Sequence, residues 1–160
     1  MLILDTDGLI KLHRAQVLYL LADRYECAIP SAVYQEAVIN ARGKYPDAEQ
    51  IDQIIQLTIK VVDVEVPSWV PGYIGLGERE VLALFNHDAD TIISDDGDFL
   101  RHLATQSIRF LSPTDLALRM VEQGQLATED AAAAIDLLKP LIKADVYQRE
   151  IDVLEDLGKR

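Results

Sequence analysis

A single cysteine, Cys27, stands among 160 residues. One cysteine cannot close an intrachain disulfide, and it excludes a metal site built on cysteines. Basic residues are also few: 15 Lys and Arg face 27 Asp and Glu, a formal net charge of −12. Surfaces that coat nucleic acid are ordinarily basic, so broad electrostatic binding of that kind is excluded, while a small acidic site that needs a cation is not. The acidity is not a tail, since residues 1–120 hold ten basic and 18 acidic side chains and residues 121–160 hold five and nine. No apolar run approaches the ~18 residues of a membrane span. The opening Met-Leu-Ile-Leu-Asp-Thr-Asp has neither a basic stretch nor a cleavage-like site, so no signal peptide is expected and a cytoplasmic location is the default.

What is present is a globular composition, 49% hydrophobic and 26% charged, in a chain without repeats or low-complexity segments. Short apolar runs alternate with longer amphipathic ones. Strands are expected at Leu2–Leu4, Cys27–Ile29, Lys60–Val66, Thr91–Ser94 and Ile108–Leu111. Helices are expected over residues 9–24, from Ser31 as N-cap to about Ala41, from Asp47 as N-cap to about Thr58, over 78–87, 98–105 and 113–123, and over 128–157 with a break at Pro140. Ser112 is the expected cap of the helix at Pro113. Strands separated by helices of this length imply a mostly parallel sheet of about five strands with helices on both faces, a three-layer α/β sandwich. C-terminal helices follow it. The expected division is a domain over residues 1–125 and a helical extension, 126–160, packed on it.

Ligands of such sheets bind beyond the carboxyl ends of the strands. Asp5 stands at the end of the first strand, and Asp95 and Asp96 at the end of another. Glu36 lies in the helix after the second strand, beside the apolar Val33 and Ala37. Clustered carboxylates raise one another's pKa and cannot all ionise unaided. A divalent cation resolves the conflict. All-oxygen ligands suit Mg²⁺ or Mn²⁺, which complete their shells with water and phosphate and can activate a water for phosphodiester cleavage. The pattern therefore points to phosphoryl chemistry.

Four segments sharpen the reading. Leu2-Ile3-Leu4-Asp5-Thr6 resembles the opening of PIN-domain nucleases. Ile29-Pro30-Ser31-Ala32-Val33-Tyr34-Gln35-Glu36 resembles their second motif, Gly77-Glu78-Arg79-Glu80 their third, and Ser94-Asp95-Asp96-Gly97-Asp98-Phe99 their fourth. The 18 residues from Glu78 to Asp96 accommodate a helix, a turn and a strand, and put Glu78 rather than Glu80 in register with the third acid. Three departures stand out: Asp7 replaces the Ser of a common Asp-Thr-Ser opening, Glu78 an Asp, and Ser94 a Thr. The resemblance covers roughly residues 1–120. It implies a PIN-like sandwich and a divalent-metal-dependent endoribonuclease with catalytic Asp5, Glu36, Glu78 and Asp96. The implied ligands of Mg²⁺ or Mn²⁺ are Asp5, Glu36, Glu78, Asp96 and Asp98. It further implies RNA as substrate, similarity to VapC-type toxin ribonucleases, an antitoxin protein as partner, and a homodimer.

Plainer readings stand beside these. Asp5 can be a helix cap, and Asp95 or Asp98 can cap the helix near Phe99. Glu78 and Glu80, two apart, cannot share a helix face, so only one can enter the site. Whether Asp7, Glu80 or Asp95 joins it stays open. His13, His87 and His102 lack metal-ligand spacing. Lys11, Arg14, Arg42, Lys44 and Arg101 can rim a phosphate site or simply be solvated. Trp69 and Tyr73, in the Pro- and Gly-rich loop 67–77, can stack on a base or anchor the loop. Leu4-Asp5-Thr6-Asp7-Gly8 also resembles the nucleophile motif of HAD-type phosphatases, with Asp5 as nucleophile, although Leu9 stands where that motif has Thr. A catalytically silent binding module is the third possibility.

Overall fold

A computed structural model describes residues 1–160. Five strands form one sheet in the order β3-β2-β1-β4-β5, parallel throughout. They are β1 (Leu2–Leu4), β2 (Cys27–Pro30), β3 (Ile59–Val62), β4 (Thr91–Ile93) and β5 (Phe110–Leu111). Central strands covered on both faces must be apolar on both, which accounts for the fully buried Ile3, Leu4, Ala28, Ile29, Ile92 and Ile93. Helices α1 (Thr6–Arg14), α2 (Leu18–Arg24), α3 (Ser31–Tyr34), α4 (Asp47–Thr58), α5 (Leu76–Leu84), α6 (Gly97–Thr105) and α7 (Pro113–Glu122) supply the outer layers. Together sheet and helices enclose one core that includes Leu9, Leu12, Leu21, Val33, Ile51, Val81, Leu103 and Met120. The α/β sandwich expected from the alternation of strands and helices is the observed fold.

The elements depart from expectation in instructive places. The helix expected over 9–24 is two helices. Gln16 adopts a left-handed backbone (φ 62°), its amide donates to the His13 carbonyl, and the Val17 amide donates to that of Leu12. That is a Schellman ending made without glycine. Helix α6 stops the same way at Ser107 (φ 55°), with Ile108 donating to Leu103. Strand β3 ends at Val62, short of Val66, where the Asp63 carboxylate takes a hydrogen bond from the Ser31 hydroxyl. Helix α5 begins at Leu76, two residues early, and stops at Leu84 before a turn in which Asp90 accepts from the Asn86 amide at 2.9 Å. After α3 the chain widens into a π-helical turn over Gln35–Ile39.

Caps also differ. Ser31 is the first residue of α3, not its cap, and the Ala32 amide donates instead to the Glu80 carboxylate at 2.8 Å. Asp47 is the first residue of α4 and pairs with Arg14 at 3.0 Å. Ser112 caps α7 as expected, in a capping box with Asp115. Beyond α7, helices α8 (Thr128–Leu138) and α9 (Ala144–Gly158) are separated by a short 3-10 turn, Lys139–Leu141, at the expected break. Ala134 and Leu138 join the main core, and Leu118, Ala131, Ile135 and Leu154 form a second small one between α7, α8 and α9.

The first turn of α1 lies against the end of β4. A Cβ built on Gly8 would sit 2.4 Å from the Ile93 carbonyl oxygen, a backbone atom that cannot swing aside. Gly8→Ala must push α1 off β4, and urea denaturation is expected to show a loss of about 1–3 kcal/mol, the usual cost of overpacking. Gly97→Ala meets nothing within 4 Å and is expected to leave stability unchanged or slightly raised.

Candidate active site

The carboxyl ends of β1 and β4 lie side by side, with Leu4 opposite Ile93. Each strand leads into a helix whose cap is an aspartate. Asp5 caps α1, accepting from the Gly8 amide at 2.7 Å. Asp96 caps α6, accepting from the Phe99 amide at 2.9 Å. Capping uses one acceptor site of a carboxylate that has about four, so a cap in this position keeps oxygens for another partner. The cap of α6 is therefore Asp96 itself, not Asp95 or Asp98.

Ser94 ties the two together. Its hydroxyl donates to the second Asp5 oxygen and accepts from the Asp96 amide at 3.2 Å. Asp5 is 2% exposed and Ser94 is fully buried. Burial pushes the Asp5 carboxyl up to about 7, against the Ser94 and Gly8 hydrogen bonds that favour its charge, with Asp7 and Glu78 adding repulsion. Thr6, the next residue, donates from its hydroxyl to Glu36 at 2.5 Å. Glu36 rides on the π-helical turn and reaches the start of α5, where a Cβ on Gly77 would stand 3.1 Å from its Oε2. Glu78 in the first turn of α5 folds back over Gly75 and, with Asp96, lines an open cleft of about 560 Å³.

Neighbouring acids are otherwise engaged. Lys11 pairs with Asp95 at 2.6 Å and Asp7 at 3.2 Å. Burial works against its charge, but these bonds together outweigh that and raise its pKa. Asp98 lines the outer cleft, highly exposed, and pairs with Arg101. Glu80 is spent on the α3 amide. Arg14 pairs with Asp47 and Arg42 with Asp52 at 2.7 Å, so these cations are committed elsewhere. None of Asp5, Glu36, Glu78 and Asp96 has a lysine, arginine or histidine within ion-pair distance. As the side chains stand, no group of three or more His, Cys, Asp or Glu is close enough to hold a metal ion. The donor set is nonetheless of the right chemistry: oxygen only, linked through Ser94 and Thr6, and without compensating cations.

Sequence reasoning missed Ser94 as the bridge between the two caps and Lys11 as the counterion of Asp95. Lys11 stands four residues after Asp7, a spacing that signals a helical ion pair. Nothing local signals its bond to Asp95, 84 positions away.

Fold and site together define a class, a three-layer α/β protein whose adjacent central strands each lead into a helix capped by an aspartate. Within that class the chain belongs to the PIN-domain family: the family model DUF3368, described as a PIN domain, matches residues 1–153. The PIN domain is a nuclease fold, so the phosphatase reading of Asp5–Gly8 is set aside. No curated protein and no solved structure matches the chain closely enough to supply a named relative. No helix is long and apolar enough to cross a membrane.

The Asp5 environment sets a pH response. Its folded pKa, about 7, lies above the ordinary aspartate value of 3.8, so between those values the folded protein holds a proton that the unfolded chain has lost. Stability of the metal-free protein should therefore fall as pH rises from about 4 to 7. In Asp5→Asn this component of the slope should vanish and the melting temperature at neutral pH should rise above that of the parent. Thermal denaturation in EDTA across that pH range measures both.

Proposed function

We propose that this PIN-domain protein is a divalent-metal-dependent endoribonuclease with Asp5, Glu36, Glu78 and Asp96 as its catalytic carboxylates. The observation that carries the reading is the Asp5 carboxylate, buried to 2% exposure at the carboxyl end of β1 without a cation partner and linked through Ser94 to the Asp96 cap on the adjoining strand. Nearby, Asp7 and Asp95 pair with Lys11 and Asp98 with Arg101, Glu80 accepts from the Ala32 amide, and Asp5, Glu36, Glu78 and Asp96 pair with no cation.

A Mg²⁺ or Mn²⁺ ion held by these carboxylates would supply the missing charge and the polarisation that activates a water toward a phosphodiester. The chain's own residues prepare the place. Gly8 and Ser94 hold both Asp5 oxygens in fixed directions, and the Phe99 amide holds one Asp96 oxygen. Thr6 orients Glu36. Lys11 offsets one of the two negative charges of Asp95 and Asp7, which moderates the repulsion that Asp7 exerts on Asp5. Asp98 joins this set as an outer ligand, reachable once it leaves Arg101. A toxin-like role with an antitoxin partner, a homodimer and a cytoplasmic setting complete the proposal, all supported by the resemblance of the motifs.

Purified protein should cleave RNA with Mg²⁺ or Mn²⁺ and stop on adding EDTA. Asp5→Asn and Asp96→Asn should each lower the cleavage rate by about a hundredfold or more, while Asp95→Asn, which leaves the four acids in place, should retain most of it. Full cleavage by Asp5→Asn, or cleavage indifferent to EDTA, contradicts the proposal. Mn²⁺ should also raise the melting temperature of the parent more than that of Asp5→Asn; no metal-linked rise in either, with no cleavage, identifies a silent module.

A further inference from the structure

The loop between β3 and α5 is fixed to the body by its aliphatic residues. Val70 is 6% exposed within the main core, and Val66 and Ile74 pack against that core. Its two large aromatics do none of this anchoring. Trp69 is 67% exposed and Tyr73 80% exposed. They border a groove of about 320 Å³ that adjoins the acidic cleft, with Tyr73 and His102 lining both. Tyr73 is steadied there by an edge-on contact with the His102 ring, centroids 6.2 Å apart at 82°, and by a 3.4 Å contact between its hydroxyl and Nδ1. His87 stands edge-on to Phe85 on the same groove, centroids 4.9 Å apart.

In a chain with 27 acids, no carboxylate lines this groove, and its only ionisable side chains besides Tyr73 are His87 and His102. A polyanion approaching the acidic cleft gains little from the protein's field. It must gain from contacts that do not depend on charge. Exposed aromatic faces offer that to single strands, since every base has a face to stack, and duplexes keep theirs hidden.

We propose that the Trp69–Tyr73 groove is a base-stacking subsite that holds single-stranded RNA beside the carboxylate cleft. It rests on the nuclease reading for its choice of ligand, and it names unpaired bases flanking the cleaved phosphate as the substrate class. Trp69 is the sole tryptophan, so its emission reports on this groove alone.

The test uses full-length Asp5→Asn protein with Mg²⁺, to keep the probe intact, and a short single-stranded oligoribonucleotide. Binding should quench or shift tryptophan emission. The same backbone with abasic sites, and the duplex form, should not. Anisotropy of a labelled probe should show Trp69→Ala and Tyr73→Ala each weakening binding roughly tenfold to a hundredfold, with Trp69→Phe retaining part of the affinity. Circular dichroism and melting temperature should be unaltered in these variants, since both side chains are exposed. If the parent protein cuts this oligonucleotide while emission stays unchanged, or the variants bind equally well, the subsite is overturned and the nuclease reading stands. If emission responds to bases but the parent cuts nothing, the subsite stands and the nuclease reading falls. Neither binding nor cleavage overturns both.

Discussion

A carboxylate buried at the end of a central strand governs this protein. Asp5 stands at the carboxyl end of β1, 2% exposed, where desolvation disfavours its charge more than two hydrogen bonds can restore. The surroundings respond to that conflict. Gly8 gives up its side chain so that α1 can start against the Ile93 carbonyl and aim an amide at Asp5. Ser94 places a hydroxyl on the other oxygen. Lys11, on the same helix, pairs with Asp95 and Asp7 rather than with Asp5. The position is held in shape without a cation partner, a condition that costs folding stability and that a bound cation would relieve.

The parallel sheet turns this one position into a site. With β1 and β4 adjacent and pointing the same way, the loops after them open on the same edge, and both helices that follow begin with an aspartate cap. Strand β2 sits on the other side of β1 and delivers α3, whose π-helical turn carries Glu36 to Thr6 and to the start of α5. Helix α5 brings Glu78 and, on its other side, Glu80, which holds the free amide of α3. One short motif thus contributes a candidate ligand and the brace that fixes the neighbouring helix.

Much of this was readable from residue order alone. Short apolar runs leading into Asp, Leu2-Ile3-Leu4 before Asp5 and Ile92-Ile93 with Ser94 before Asp95-Asp96, mark strand ends, and parallel topology puts strand ends on one edge. The 18-residue interval to Asp96 favours Glu78 over Glu80 as the third acid, and the structure gives Glu80 a different task. The misreadings share a cause. Gln16 and Ser107 take left-handed backbones without the glycine that would announce a helix end, so a 9–24 helix looked continuous. Ser31 has the chemistry of a cap, but Glu80, 48 positions away, takes the amide first. Trp69 and Tyr73 looked equally suited to anchoring, and only the burial of Val70 and the packing of Val66 and Ile74 show that the loop is anchored without them. Local patterns specify elements and strand-end acids; which acid meets which partner is decided by contacts between distant segments.

The central claim is that Asp5, Glu36, Glu78 and Asp96 form one divalent-cation site. A crystal of the protein soaked in Mn²⁺, with anomalous scattering recorded at the manganese edge, tests it directly. The account predicts a manganese peak beyond the ends of β1 and β4, within coordinating distance of Asp5 and Asp96, with Glu36 and Glu78 turned toward it directly or through water. No peak there, or manganese bound only to surface acids while the Asp5 carboxylate stays as it is, would contradict the account.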